Sequence, residues 1–408
     1  MCGLAGLVDW NAAMAPDARE RAVGAMIDRL EHRGPDDKGV WSDAVATLGH
    51  RRLAIIDLSP AGHQPMTSAC GRYVIAYNGE IYNHREIAAD LRVGGVSFRG
   101  HSDTEVLVEA CAQWGLERAL QRAAGMFALA LWDTQSRTLT LARDRLGKKP
   151  LYWSSSGGRL AFASELTALL QLSWTPRGID RDALCLYLRH ACVPAPRTIL
   201  QGVHKLEPGT VLEFRAHDEA EERRYWSIRE IAGAGADDPF TGTVDEAHDE
   251  LDRLIEMAVG ERMVADVPLG AFVSGGVDSS LITAKMAALS DRPVKTFTIS
   301  FDDGRWDEGP HARAVCEHLG TDHTEFKLPA SSVLEHVDDV AARFDEPFAD
   351  ASMVPTFLVS KLAREHVTVA LWGDGGDELF GGYDRYQQVE RLERVRGALP
   401  RGVRQVLG

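Results

Sequence analysis

Apolar and polar positions along this chain change period several times, and the changes mark its elements. At residues 17–31 apolar side chains recur at helical spacing (Ala22, Val23, Met26, Ile27, Leu30), with Asp17 as a cap. The pattern stops at His32-Arg33-Gly34-Pro35-Asp36, a helix breaker. Tyr73-Val74-Ile75-Ala76-Tyr77 alternates as a strand and runs into Asn78-Gly79, which reads as a turn. Ser102-Asp103-Thr104-Glu105 has capping-box spacing and opens a helix with Val106, Leu107, Ala110, Cys111 and Trp114 inward. Met126 to Asp133 and Thr138 to Ala142 read as paired strands. Residues 216–242 turn acidic and then Gly- and Ala-rich, the composition of a linker. Thr243-Val244-Asp245-Glu246 is a second capping box, opening a helix with Ala247, Leu251, Leu254, Ile255 and Ala258 on one face.

Beyond residue 243 the rhythm becomes apolar run, helix, apolar run. Val267 to Val273, Val294 to Phe301 and Val367 to Leu371 read as buried strands, with helical spacing at Leu281, Ile282, Ala284, Lys285, Ala288 and Leu289 and again at about 310–319. This alternation predicts a doubly wound parallel sheet whose ligands sit at the strand C-termini. The expected domains are therefore residues 2–215, a linker at 216–242, and residues 243–408.

Two glycine loops follow strands in that second domain. The first is Phe272-Val273-Ser274-Gly275-Gly276-Val277-Asp278-Ser279-Ser280. Glycines let a ligand approach the backbone, and the helix start beyond them offers unpaired N–H groups and a positive dipole end. Three serine hydroxyls complete a cradle for phosphate or pyrophosphate. Asp278 suits an anion cradle only with a metal between it and the phosphates. No lysine follows the glycines, which excludes the GxxxxGK[ST] loop. The second loop is Trp372-Gly373-Asp374-Gly375-Gly376-Asp377-Glu378-Leu379-Phe380-Gly381-Gly382-Tyr383. A well-capped turn and a solvated glycine loop are the structural alternatives for the two.

Composition narrows the classes. With 408 residues and 45% hydrophobic content the chain reads as an ordinary globular protein of two or three domains. A net charge of −15 argues against nucleic acid as a partner. No apolar run nears the ~20 residues that span a bilayer, and the N-terminus lacks a secretory pattern. Six cysteines without metal spacing fit a reducing, cytoplasmic setting.

Cys2 directly follows the initiator methionine. Removal of Met1 would give one residue both a thiol nucleophile and an α-amine, which titrates at about 7.7–8.0 and so can act as a base. An inert cysteine at a strand start is the alternative. Its context decides. Cys2-Gly3, His32-Arg33-Gly34-Pro35-Asp36, Arg52-Leu53, Asn78-Gly79-Glu80-Ile81-Tyr82-Asn83 and Ser102-Asp103-Thr104-Glu105 stand in the order found in class II glutamine amidotransferases. The Ser274–Ser280 loop resembles that of ATP pyrophosphatases. Together, from residue 2 to about 390, the chain resembles glutamine-hydrolysing asparagine synthetases.

The resemblance implies an N-terminal-nucleophile αββα sandwich followed by the α/β pyrophosphatase domain. It makes Cys2 the nucleophile, Asn78 and the Gly79 N–H the oxyanion hole, Arg52 the partner of the glutamine α-carboxylate, and Asp103 with Glu80 that of its α-ammonium. Arg51 adjoins Arg52, but the family has its arginine directly before the leucine. Val273, Ser274, Gly275, Gly276, Asp278, Ser279, Ser280, Ile299, Trp372 and Gly373 would meet ATP. Asp278 and Asp377 would hold Mg²⁺, and Asp374 would help form the acyl-adenylate. The implied partners are glutamine, aspartate and ATP, with a homodimer left open and neither nucleic acid nor membrane.

Three departures from the family pattern stand out. Many members have Glu where this chain has Asp374. Position 372 is usually Ser, and here Trp372 sets a bulky ring beside the expected nucleotide. The family also continues past residue 408 with a lysine and an acid, whereas this chain stops in a helical stretch, Arg401 to Gly408; it reads as C-terminally truncated, with glutamine hydrolysis expected without coupled synthesis. The rival readings are an amidotransferase for another carboxylate, such as a uronic acid or a peptide, and a glutaminase-only remnant.

Overall fold

The computed structural model describes residues 1–216, 220–302, 307–329 and 331–398; the stretch Arg401 to Gly408 lies outside these residues. The chain divides into two compact units. One comprises Met1–Glu250, Val264–Val267 and His336–Val354, the other Leu251–Met263, Pro268–Glu335 and Pro355–Gly408.

The first unit is built on two antiparallel sheets of six strands. One runs, in spatial order, His204–Lys205, Tyr152–Ser156, Arg159–Ala163, Gly3–Asp9, Ala46–Arg52, Asp37–Ser42. The other runs Glu221–Arg224, Thr210–Phe214, Thr138–Arg143, Gly125–Asp133, Tyr73–Ile81, Met66–Thr67. Leu4, Val8, Leu48, Phe162 from the first sheet and Val74, Ala76, Ala130, Trp132 from the second form the core between them. On the outer faces, Pro16–Asp28 packs Val23, Met26 and Ile27 against the first sheet. His84–Val93 and Asp103–Trp114 cover the second with Ile87, Leu91, Val106 and Leu107. Helix, sheet, sheet, helix is the expected αββα sandwich. Its strands follow from side-chain alternation, except that all seven residues of Gly3–Asp9 are buried because a sheet face and a helix cover both sides.

Two local readings differ from the structure. Asn78-Gly79 is not a turn: Tyr73–Ile81 runs straight through it, pairing Gly79 with Phe127. A Cβ on Gly79 would stand 2.7 Å from Phe127 Cα, so the glycine serves close strand approach. Inside the stretch expected as a linker, Glu221–Arg224 pairs with Thr210–Phe214, and Ile228–Asp237 is a helix capped by Ser227. Arg223 and Arg224 are ion-paired to Glu213 and Glu207, so this polar strand is an edge held by charge.

The second unit holds a four-stranded, all-parallel sheet in the order Asp322–Leu328, Lys295–Phe301, Leu269–Phe272, Val369–Leu371. Val259 and Met286 pack on one face with Ala271, and Val359 and Ala363 on the other with Phe297. From Leu269–Phe272 the chain moves outward through two strands, then returns to the opposite side of the same strand. That reversal is a topological switch point, and both glycine loops leave the sheet there.

Candidate active site

The first site forms where strand ends of the first unit converge. Gly3 pairs with Arg51 across the sheet, which brings Cys2 to the end of Ala46–Arg52. The Cys2 sulfur accepts the Leu53 N–H at 3.4 Å, and Arg33 Nε donates to the Cys2 carbonyl at 3.0 Å. Arg33 is itself fixed by Glu165 at 2.8 Å. Burial pushes the Cys2 thiol above its ordinary value, and the Leu53 N–H pulls the other way. A thiol of this kind needs a base beside it before it reacts.

Strand alternation separates the two arginines. Arg51 turns toward the helix Pro16–Asp28, bonding Ile27 O at 3.2 Å and Asp28 at 2.8 Å. Arg52 turns into a cavity with Cys2. Its guanidinium donates to the carbonyls of Ser59, Ile56 and Asp57, which leaves two of its five donors for a ligand. Asp57 holds this turn in a left-handed conformation (φ 58°), its carboxylate accepting from Ser59 N, Ser59 Oγ and His101 N. The Asp57 N–H donates to Asp266 at 2.8 Å.

Asn78, Glu80 and Asp103 line the same cavity, with Gly79 between the first two. Asn78 is 1% exposed, and neither atom of its amide has a hydrogen-bond partner. A buried amide without a partner is expensive and calls for a ligand. Asp103 accepts from Tyr77 OH at 3.0 Å and Ile81 N at 2.9 Å. Burial raises its carboxyl above the usual carboxylate value, so an incoming ammonium would be welcome there. His50 donates through Nε2 to Tyr77 O at 2.8 Å, and burial lowers it to about 4, so it is neutral. Gln64 receives Tyr77 N at 2.8 Å and donates to Thr104 at 3.2 Å. Gln64, Tyr77, Met126 and Lys149 belong to the lining although the sequence assigned them no role. With Met1 in place the cavity has a volume of about 40 Å³.

The second site belongs to the second unit. Ser274 Oγ accepts from Gly276 N at 3.2 Å and lies 3.0 Å from Ser279 Oγ. Gly275 has φ 79°, and a Cβ there would lie 2.6 Å from His311 Cβ. Gly276 caps the helix Val277–Leu289, and the buried Ser280 hydroxyl has no partner. Val273 is buried, its N–H bonded to Phe297 O, and Ile299 is half-buried in the neighbouring strand. The Trp372–Tyr383 loop presses on this cradle. A Cβ on Gly373 would stand 2.7 Å from Ser279 N, and one on Gly376 would strike the Asp278 carboxylate. Asp377 follows Gly376 directly, while Asp374 is exposed. Trp372 is 39% exposed and meets Phe272 edge-on at 5.3 Å. Among the described residues no three acids, histidines or cysteines cluster as a metal site. Magnesium rarely needs three, since one or two carboxylates, phosphates and water suffice.

Residues 1–226 match the glutamine amidotransferase domain family, and residues 250–407 the asparagine synthase family. A putative glutamine-hydrolysing asparagine synthetase of Mycobacterium bovis is 37% identical over the whole chain, and this chain spans 64% of that relative's length. Another from Methanocaldococcus jannaschii is 33% identical over the whole chain and 80% of its own length. A Gibberella zeae protein named an amidase is 29% identical over 95% of this chain and 60% of its own. On both matched domains and on the full-length identity, this chain belongs to the glutamine-hydrolysing asparagine synthetase family.

Proposed function

We propose that the chain hydrolyses glutamine at Cys2 and uses the ammonia to amidate aspartate activated by ATP, giving asparagine, AMP, pyrophosphate and glutamate. The observation that carries the first half is the unpartnered Asn78 amide, buried in one cavity with Cys2, Arg52 and Asp103. After Met1 leaves, the Cys2 α-amine takes the thiol proton and the sulfur attacks the glutamine side-chain carbonyl. Asn78 Nδ2 and the Gly79 N–H receive the oxyanion. The amine returns the proton to the departing nitrogen, ammonia leaves, and water then cleaves the thioester to glutamate. Arg52 holds the α-carboxylate, and Asp103 with Glu80 the α-ammonium.

In the second unit, residues 274–280 hold the pyrophosphate of ATP, with Val273, Ile299, Trp372 and Gly373 beside the nucleotide. The residues that would hold magnesium are Asp278 and Asp377, and the ion supplies charge neutralisation for the leaving pyrophosphate. What supports this is the cradle's geometry: two glycine loops at a switch point, one pressing on the other's acid. Asp374 serves formation of β-aspartyl-AMP, because a carboxylate reacts with ammonia only after gaining a leaving group.

Trp372, a bulky ring beside the expected nucleotide, favours a second reading, glutamine hydrolysis without coupled synthesis. One assay separates them. Purified protein is given Mg-ATP, glutamine and a panel of carboxylates, and glutamate, AMP and the amide are measured together. The main reading expects AMP and asparagine in equal amounts from aspartate, with glutamate release abolished in Cys2→Ala. Glutamate released without AMP or any amide supports the second, an amide formed from another acid and not from aspartate makes that acid the acceptor, and hydrolysis persisting in Cys2→Ala would overturn both.

A further inference from the structure

Lys149 is a buried cation for which the mechanism above has no use. It closes the loop after the strand Thr138–Arg143, and that loop is rigidly tied. Asp144 accepts from the backbone N–H groups of Leu146, Lys148 and Lys149, at 3.1, 2.9 and 3.0 Å, and from Phe127 N at 3.1 Å. Arg143 donates to Lys149 O at 2.7 Å. Lys149 is 4% exposed, and its side chain lines the Cys2 cavity. Its ammonium donates to the sulfur of Met1. A thioether is a weak acceptor, a poor match for a buried charge. Moreover, Met1 is the residue whose departure frees the Cys2 α-amine. Burial lowers Lys149 to about 8, which still leaves it charged at neutral pH.

We propose that Lys149 is a positioning residue of the glutaminase: once Met1 has gone, its ammonium faces the Cys2 α-amine and keeps that amine unprotonated, ready to take the thiol proton. The inference rests on the reading of Cys2 as nucleophile. An ordinary α-amine titrates at about 7.7–8.0, so at pH 7 only roughly a tenth of it is free base. A like charge nearby disfavours the protonated form. The other charged groups around the site pull both ways. Arg52 at the end of its strand and Arg33 on the Cys2 carbonyl are positive, Arg33 being paired with Glu165. Glu80 and Asp103 are acids that favour a protonated amine; Glu80 also acts on Lys149 itself, as do Asp144, Arg33 and Lys148, and His84 stands beside Asp103. The glutamine ammonium engages those two acids, and Lys149 remains to act on the amine.

The test uses the full chain with Met1 removal verified by mass. Glutamate release is measured as kcat, whose pH profile reports the substrate complex, with KM alongside, from pH 5.5 to 9 for the protein as it stands, for Lys149→Met and for Lys149→Arg. The expected result for Lys149→Met is an acid limb raised by about one pH unit, with a roughly tenfold loss on that limb and recovery toward pH 9. Lys149→Arg should keep the original limb, because the charge is retained. A parallel fall at every pH, or a rise in KM alone, overturns the proposal in favour of a packing or substrate-binding role. If Lys149→Met does not fold, acylation of the Cys2 α-amine against pH in the unaltered protein decides. Titration below about 7.7 is expected, and titration at or above that ordinary value overturns the proposal. Cys2→Ala separates the two claims: if it still hydrolyses glutamine, the nucleophile reading fails, whereas an inactive Cys2→Ala with an unshifted Lys149→Met limb removes only the role of Lys149.

Discussion

Asn78 is where a single side chain says most about the chemistry. The residue is 1% exposed and its amide has no partner, although it lies within a strand, Tyr73–Ile81, paired along its whole length with Gly125–Asp133. Such a group costs about 1–3 kcal/mol in the resting fold, a cost that an oxyanion would offset during turnover. Asn78→Ala should therefore lower kcat for glutamine hydrolysis by about 10²–10³, the usual loss for one oxyanion donor. KM should move little, because the donor meets charge that develops only in the transition state. Steady-state glutamate release with the melting temperature as control would check this; a raised KM with unchanged kcat would assign Asn78 to ground-state binding. That Cys2, Arg52, Asn78 and Asp103 belong to one site was legible beforehand, because they sit in short motifs of fixed order, and one cavity holds all four. Lys149 and Tyr77 were not legible. Their importance comes from burial and from neighbours 26 to 148 positions away, which no local pattern announces.

At the scale of elements, periodicity worked where one face is buried and failed where the backbone itself is the contact. The helix expected from residue 17 runs Pro16–Asp28, and the Thr243 capping box forms in both directions, Thr243 N to Glu246 at 2.8 Å and Glu246 N to Thr243 at 3.2 Å. The Ser102 box forms in one direction only: Ser102 caps Glu105 N, but the Glu105 carboxylate turns back to Arg99 N and Gly100 N. Asn78-Gly79 carries turn chemistry but lies in a strand, since its glycine admits a neighbouring backbone. The Gly373–Gly376 stretch uses glycine in the same way, against Asp278 and Ser279. Gly373→Ala puts a methyl 2.7 Å from Ser279 N and 2.8 Å from Asp278 C. Neither is a flexible side-chain end, so the loops must part. Overpacking of this kind costs about 1–3 kcal/mol. Binding of Mg-ATP should weaken accordingly, by roughly tenfold or more at 1.4 kcal/mol per decade, while glutamine hydrolysis is unchanged. Calorimetric titration with Mg-ATP checks it, and unaltered affinity would mean that the loops do not cooperate in holding ATP.

Across the whole molecule, the compact units do not follow the linear boundaries that composition suggested. The first unit takes back Val264–Val267 and His336–Val354 from beyond the matched amidotransferase domain. The ties are specific: Asp266 receives Asp57 N and His101 Nε2, each at 2.8 Å, and Ala349 N bonds Ala191 O. Glu346 accepts Ile199 N at 2.7 Å and pairs with Lys205 at 2.5 Å. These contacts join residues more than a hundred positions apart, and nothing in the local rhythm near Asp345-Glu346 reports them. The Glu346–Lys205 pair is nearly buried, at 10% and 15% side-chain exposure, so removing one partner strands a charge. Glu346→Ala should destabilise the first unit by about 3 kcal/mol, seen as a lower urea midpoint with unchanged slope. Lys205→Met added to Glu346→Ala should recover part of that loss, because the double change leaves no unpaired cation. A fragment ended at residue 226 should be weakened more than Glu346→Ala, since it lacks the Asp266 and Ala349 contacts as well as the same carboxylate. If Glu346→Ala unfolds at the same midpoint as the unaltered chain, the returning segment is not part of the first unit's cooperative fold, and its boundary belongs nearer residue 226.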